Sequence, residues 1–248
     1  MKALGIDQFH KKKYKWLGFE GVWLSFVGNL ATNFVGIVYG HSGHGKTEFC
    51  IRLAKYLCKF DKVAWLSYEQ GHDYDLQAAT IRNKMEEQKG IFIPIDPLAK
   101  RTKGMTKFQE LDEYLSKRST PPFVFIDSID YLKLTDEEYF YIKETYGSKK
   151  GIIFLSHEKN GLPKTRVGND IYYDGKFAIR VYKYVARKMK NRAGGTGNYC
   201  IWYREARRTD PMFFKKVESG IEVIHNHEDE KVEQEMTIEI KEKEVAGA

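Results

Sequence analysis

Short apolar runs alternate along this chain with longer stretches whose apolar residues recur at helical spacing. Phe34-Val35-Gly36-Ile37-Val38-Tyr39 reads as a buried strand, and Glu48 to Phe60 places Phe49, Leu53, Tyr56 and Leu57 on one helical face. Val63 to Tyr68 is a second strand, closed by Glu69, with a helical stretch from Asp75 to Gln88 behind it. Ile91-Phe92-Ile93 is a weaker strand candidate, followed by a helix from Thr106 to Lys117. Phe123 to Ile126 is a strand closed by Asp127, Asp136 to Tyr146 a helix, and Gly151 to Ser156 a further core strand. Strands separated by helices predict an α/β fold with a mostly parallel central sheet flanked by helices.

Beyond that strand the pattern changes. Glu158 to Lys176 holds Asn160-Gly161, Pro163, Gly168-Asn169 and Asp174-Gly175, a density of breakers that predicts a long loop. Phe177 to Val185, Tyr199 to Glu205, and Phe213 to Ile224 across Ser219-Gly220 read as strands in hairpins, an antiparallel C-terminal edge on the parallel core. With no internal repeat or convincing linker, the expected organisation is an N-terminal arm (1–33), one core domain (34–227) and a tail (228–248).

Composition changes the picture in three places. The chain of 248 residues is 42% hydrophobic and 30% charged, as soluble globular proteins are, and no window has the roughly 18 uninterrupted apolar residues of a membrane span. No export signal is read in it, so a cytoplasmic location is expected. Cys50, Cys58 and Cys200 are odd in number and lack metal-site spacing, which points to reduced core thiols. The net charge of +7 is uneven: from Glu228 onward eight acidic residues face three lysines, leaving +12 on the rest. A basic body favours a polyanion, nucleic acid first, although such an excess can also be a solvated face. Lys11, Lys12, Lys13 and Lys15 are a candidate backbone contact or a solvated arm. The tail reads as a flexible end or as a mimic of nucleic acid.

The chemistry begins at Gly40-His41-Ser42-Gly43-His44-Gly45-Lys46-Thr47, a complete G-x-x-x-x-G-K-[ST] loop between a strand and a helix. Its backbone N–H groups and the helix N-terminus suit phosphates. Lys46 would reach the β and γ phosphates of ATP, and the Thr47 hydroxyl would ligate Mg²⁺. Such a loop alone leaves kinases, GTPases and motors open, so residues at the other strand ends discriminate. Asp127 fits the Walker B role on the Mg²⁺ shell, Glu69 that of a general base polarising water, and His157 that of a γ-phosphate sensor.

Taken together, the phosphate loop, Glu69, Phe125-Ile126-Asp127-Ser128 and Leu155-Ser156-His157 resemble the RecA-like P-loop ATPases. The branch indicated is that of the DnaB-type replicative helicases and the RadA/Sms recombination ATPases. Lys190-Asn191-Arg192-Ala193-Gly194-Gly195-Thr196-Gly197 is similar to the K-N-R-x-G signature of both and to the R-x-G-x-T-G run of the helicases. The resemblance covers roughly 34–205 and implies a Mg-dependent ATPase in a head-to-tail ring or filament. Lys190 and Arg192 would be fingers that reach the neighbour's γ-phosphate. Read from the residues alone, they are two cations in a glycine-flanked turn that face an anion, water or nucleic acid.

By the same resemblance, loops holding Lys133 and Lys159, Lys164 and Arg166 would contact single-stranded DNA, with Tyr172 and Tyr173 either stacking on bases or lying in the core. The chain departs from these families. It has no room for the helical N-terminal domain of the replicative helicases and lacks the zinc module and protease-like domain of RadA/Sms. It looks like a standalone core of the kind carried by bacteriophages and mobile elements, acting in recombination, repair or replication. The alternatives are an ATP-dependent switch or loader, KaiC-like, that acts on a protein partner, and a P-loop small-molecule kinase, which Glu69 disfavours.

Overall fold

The strand Phe34–Gly40 (β1) is buried at every position, because a parallel strand covered by helices on both faces reads as an unbroken apolar run. The computed structural model describes residues 3–226, so the acidic tail lies outside the described residues. A five-residue helix, Ile6–His10 (α1), precedes Gly21–Val27 (α2). After β1 come the phosphate-loop helix Lys46–Leu57 (α3), Val63–Ser67 (β2), Tyr74–Arg82 (α4), a 3-10 turn at Met85–Gln88 and Phe92–Ile95 (β3). Then follow Lys107–Ser116 (α5), Phe123–Asp127 (β4), Ile129–Leu132 (α6), Asp136–Tyr146 (α7), Gly151–Lys159 (β5) and Leu162–Pro163 (β6). The chain continues through Arg166–Asp174 (α8), Phe177–Tyr182 (β7), Val185–Asn191 (β8), Asn198–Cys200 (β9), Tyr203–Thr209 (α9), Pro211–Glu218 (α10) and Ile224–Asn226 (β10).

One sheet runs in the order β3-β2-β4-β5-β1-β7-β8-β9-β10, with β6 paired to β5 off this path. Pairing is parallel from β3 through β1 to β7, antiparallel across β7-β8-β9, and parallel again between β9 and β10. One face packs on α2, α3 and α4, with Trp65, Phe125 and Phe177 beneath them; the other packs on α5, α7 and α8. Both α5 and α7 start with a capping box, Thr106 with Gln109 and Thr135 with Glu138, which fixes their first turns as the sequence implies. Among the described residues no helix is long and apolar enough to cross a membrane, and all three cysteines are buried thiols outside any disulfide.

Three sequence expectations are corrected. Residues 17–30 are not an arm: Leu17, Phe19, Trp23, Phe26, Val27 and Leu30 are buried against α3 and β9. Trp23 stacks on Tyr199 at 5.1 Å and on Tyr56 at 5.5 Å. The stretch 158–176 is not a loop, because Thr165 caps α8 by accepting from the Gly168 N–H, while Val167 and Ile171 are buried on one side. Gly168, which reads as a breaker, is there for close packing: a Cβ on it would meet the Pro163 ring at 2.8 Å. Residues 203–218 form two helices rather than strands, since Pro211 starts α10 at a position where its missing N–H costs nothing, and Phe213 and Phe214 are buried from it.

Trp23→Ala is expected to destabilise the fold by about 3–5 kcal/mol, the range for emptying a large aromatic site. The shift in the urea unfolding midpoint measures it, and a loss under about 1 kcal/mol would return this segment to the status of an arm.

Candidate active site

The C-terminal ends of the parallel strands share one edge, and the residues at those ends converge there. Gly40 pairs with His157, and Ser67 pairs with Asp127. Glu69 follows two residues after β2 and donates its backbone N–H to Asp127 O at 3.0 Å. Gly40 must be glycine because β7 passes so close that a Cβ would lie 2.1 Å from Val181 O. Gly45 caps α3 at φ +94, a left-handed conformation that costs glycine little and turns the loop into the helix. His41, Ser42 and Gly43 are exposed, and His44 is half-buried under the β7-β8 turn. The Lys183 N–H donates to His44 Nδ1 at 3.4 Å.

Lys46 and Thr47 open α3, with Lys46 Nζ donating to His41 O at 3.2 Å. Burial pulls the Lys46 ammonium below its usual pKa, against the opposing pull of Glu69 and Asp127. Burial, and then the Glu69 carboxylate, push the Asp127 carboxyl up to about 7, with Lys46 and His157 only partly offsetting them. Burial would raise Glu69 as well. Its hydrogen bond to His157, Nε2 to Oε1 at 3.1 Å, together with the charges of His157 and Lys46, holds it below the ordinary carboxylate value.

Several residues that sequence reasoning missed complete the edge. Asp130 accepts the His157 N–H at 2.6 Å and the Ser156 hydroxyl at 3.3 Å, fixing the end of β5. Glu158, whose side chain is 2% exposed, binds Arg180 through two bonds of 2.8 and 2.6 Å and lies 3.4 Å from His41. A charged residue next to His157 was visible in sequence, but the distant Arg180 that neutralises it was not. A cavity of about 740 Å³ opens over Lys46, Glu69, Asp127 and His157. It extends to Arg82 and Asn83 on one side and to Tyr184, Ile201 and Trp202 on the other.

The donor set suits Mg²⁺ that arrives with phosphates. Ser67 Oγ, paired in register with Asp127, is buried without a partner, and the raised Asp127 carboxyl lacks a cation that fully balances it. Among the described residues no three metal-binding side chains cluster, so such an ion would take most of its ligands from phosphate and water. Thr47 and Asp127 would hold it, and it would neutralise phosphate charge.

The expected fingers lie elsewhere. Lys190 pairs with Ala178, whose β1 partner is Ile37, two strands over and three residues before Gly40. At ~4.8 Å per strand and ~3.3 Å per residue, that is about 14 Å from the chain's own phosphate loop, beyond a lysine's reach. Arg192, bonded through its N–H to Lys176 O, is further still and exposed. Their turn is anchored on the N-terminal segment: Asn191 donates to Val27 O at 2.7 Å and Thr196 N–H to Ser25 O at 2.6 Å.

Of the expected nucleic-acid contacts, Lys133, Lys159 and Lys164 are exposed, Lys133 at φ +58 just after α6. Arg166 is corrected from a mobile loop to the first turn of α8, paired with Asp136 at 2.8 Å. Tyr172 packs edge-on against Tyr39, whereas Tyr173 is 62% exposed.

No family model and no curated protein sequence matches the chain. Among solved structures, the flagellar accessory protein FlaH of Methanocaldococcus jannaschii aligns with a TM-score of 0.53 at 19% identity, over 75% of this chain and 93% of its own. A KaiC-like protein of Pyrococcus horikoshii aligns at 0.52 and 15% identity, over 73% and 89%. The fold is that of the RecA-like P-loop NTPases. In this sheet His157, Asp127 and Glu69 stand at or near the ends of β5, β4 and β2, which are neighbours in the strand order.

The raised Asp127 carboxyl has a testable sign. Its folded value, about 7, lies above the ordinary 3.8, so the folded state holds the extra proton and loses stability as pH rises from about 4 to 7. Without nucleotide or Mg²⁺, Asp127→Asn is expected to melt several degrees above wild type at pH 8 and closer to it at pH 5. Thermal melts at the two pH values read the difference, and a gap independent of pH would contradict the assignment.

Proposed function

We propose that this chain is a Mg-dependent ATP hydrolase that assembles head to tail and acts on single-stranded DNA, in the branch of the DnaB-type and RadA/Sms ATPases. The observation that carries the reading is that the phosphate loop, Glu69, Asp127 and His157 share one edge while Lys190 and Arg192 lie about 14 Å or more from it in the same chain. A subunit built this way carries the phosphate loop with Lys46, the base and the sensor, and a neighbour supplies the two finger cations. Such a contact joins unlike surfaces and closes into a ring or runs on as a filament.

In this reading the loop N–H groups and Lys46 bind the triphosphate, and Thr47 and Asp127 would hold a Mg²⁺ ion that would supply neutralising charge at the phosphates. Glu69 orients and deprotonates the attacking water; it must first leave His157, to which it is bonded here. His157, released, bonds the γ-phosphate, and Asp130 holds it in place. Exposed Lys133, Lys159 and Lys164 supply sequence-independent contacts to a nucleic-acid backbone.

A second reading is an ATP-dependent switch or loader for a protein partner. The Glu69–His157 bond favours it, because a base held off its water suits slow turnover, as does the likeness in fold to a flagellar accessory protein and to a KaiC-like protein.

Glu69→Gln is expected to bind ATP and to lose about 10²–10⁴ in kcat, whereas Lys46→Ala loses binding as well. Steady-state hydrolysis alongside equilibrium binding tests both, and unimpaired turnover in Glu69→Gln removes it as base. Arg192→Ala is expected to be inactive alone and to recover activity when mixed with Glu69→Gln protein, since mixed interfaces pair an intact site with an intact finger. No rescue at any ratio, measured with and without single-stranded DNA, would overturn hydrolysis in trans.

A further inference from the structure

The cavity has two sides, and the order of strands decides what each can hold. His157 lies near the end of β5, Asp127 ends β4 and Glu69 follows β2, successive strands on one side of β1. A triphosphate laid along the loop with its γ end among them directs its other end across β1, toward β7 and β8. There the wall is Tyr184, Ile201 and Trp202. Tyr184 and Ile201 come so near the loop that a Cβ on Gly45 would lie 3.3 Å from one and 3.5 Å from the other. The Tyr184 and Trp202 rings meet edge to face at 5.8 Å, and Trp202 is 54% exposed.

The turn that presents Tyr184 is strained. Lys183 and Tyr184 sit at φ +48 and +63, values that a two-residue hairpin turn normally assigns to Asn and Gly. Residues held there by their surroundings concentrate at ligand clamps. The surroundings are the site itself: Tyr184 N–H donates to His44 O at 3.2 Å, and Tyr184 O accepts from Ile201 N–H at 2.8 Å.

We infer that Tyr184 and Trp202 form a stacking wall for the nucleobase, and that the wall accepts purine and pyrimidine nucleoside triphosphates alike. The inference rests on the triphosphate reading above. Every base offers a π face to a ring, whereas discrimination among bases needs directional partners at the base edge. No amide or carboxylate lines this side of the cavity among the described residues. The amides and carboxylates of the lining belong to α3, α4 and the ends of β2 and β4: Glu48, which accepts from Arg82 and Asn83, together with Asp75, Glu69, Gln70 and Asp127. Arg208, whose charge reaches Tyr184, is paired with Glu205.

The test is equilibrium binding of ATP, GTP, CTP and inorganic tripolyphosphate, each with Mg²⁺, to wild type, Trp202→Ala and Trp202→Phe. Wild type is expected to bind the three nucleotides within about tenfold of one another. Trp202→Ala should weaken all three by about tenfold and leave tripolyphosphate unchanged, with Trp202→Phe restoring most of the loss. An unchanged nucleotide affinity in Trp202→Ala, an equal loss for tripolyphosphate, or a preference among bases beyond tenfold in wild type would overturn the wall. Wild type that binds neither tripolyphosphate nor nucleotide would remove the triphosphate reading itself, and the wall with it.

Discussion

Two carboxyl groups held on adjacent strand ends, with a single partly buried lysine nearby, set the physics of this molecule. Asp127 and Glu69 are brought together by the parallel pairing of β4 with β2 and by the backbone bonds from Tyr68 and Glu69 to Asp127 O. Neither carboxyl would choose that neighbour in water. Burial raises the cost of the second charge, and His157 relieves it more on the Glu69 side, where it adds a hydrogen bond, than on the Asp127 side, where it acts by charge alone. The unfavourable charge is thus concentrated at the edge where the ends of β2, β4 and β5 converge.

The register of the core strands places the chemistry, and the helices hold that register. With β1 buried at all seven positions, a slip of β1 against both its neighbours would displace Gly40 from His157 on β5 and bring a side chain against Val181 O on β7. Site geometry and core packing are enforced by the same contacts, which is why the catalytic candidates sit on strand ends rather than on mobile loops.

The parallel core was legible in sequence because apolar runs and phosphate-loop spacing are local signals. Phe123 to Asp127 and Gly151 to Ser156 needed no tertiary information. The misreadings have tertiary causes. Gly168 looked like a breaker but answers to Pro163, and residues 17–30 looked like an arm because the aromatic cluster that buries Trp23 is drawn from Phe49, Tyr56 and Tyr199, far along the chain. Within the site, Glu69, Asp127 and His157 followed from position after a strand. Asp130 and Arg180 did not, since what they do depends on partners that no spacing rule connects.

The anchoring of residues 191–196 on the segment 25–28 has a further consequence. Asn191 and Thr196 are bonded to the backbone of residues whose neighbours, Trp23 and Phe26, are locked in the aromatic core. The turn after β8 is therefore stiff although it is rich in glycine, and the conformational entropy that a flexible loop would lose on docking has already been lost on folding. The backbone that carries Lys190 and Arg192 thus holds one shape, and the spacing of the two residues along it is set when the chain folds.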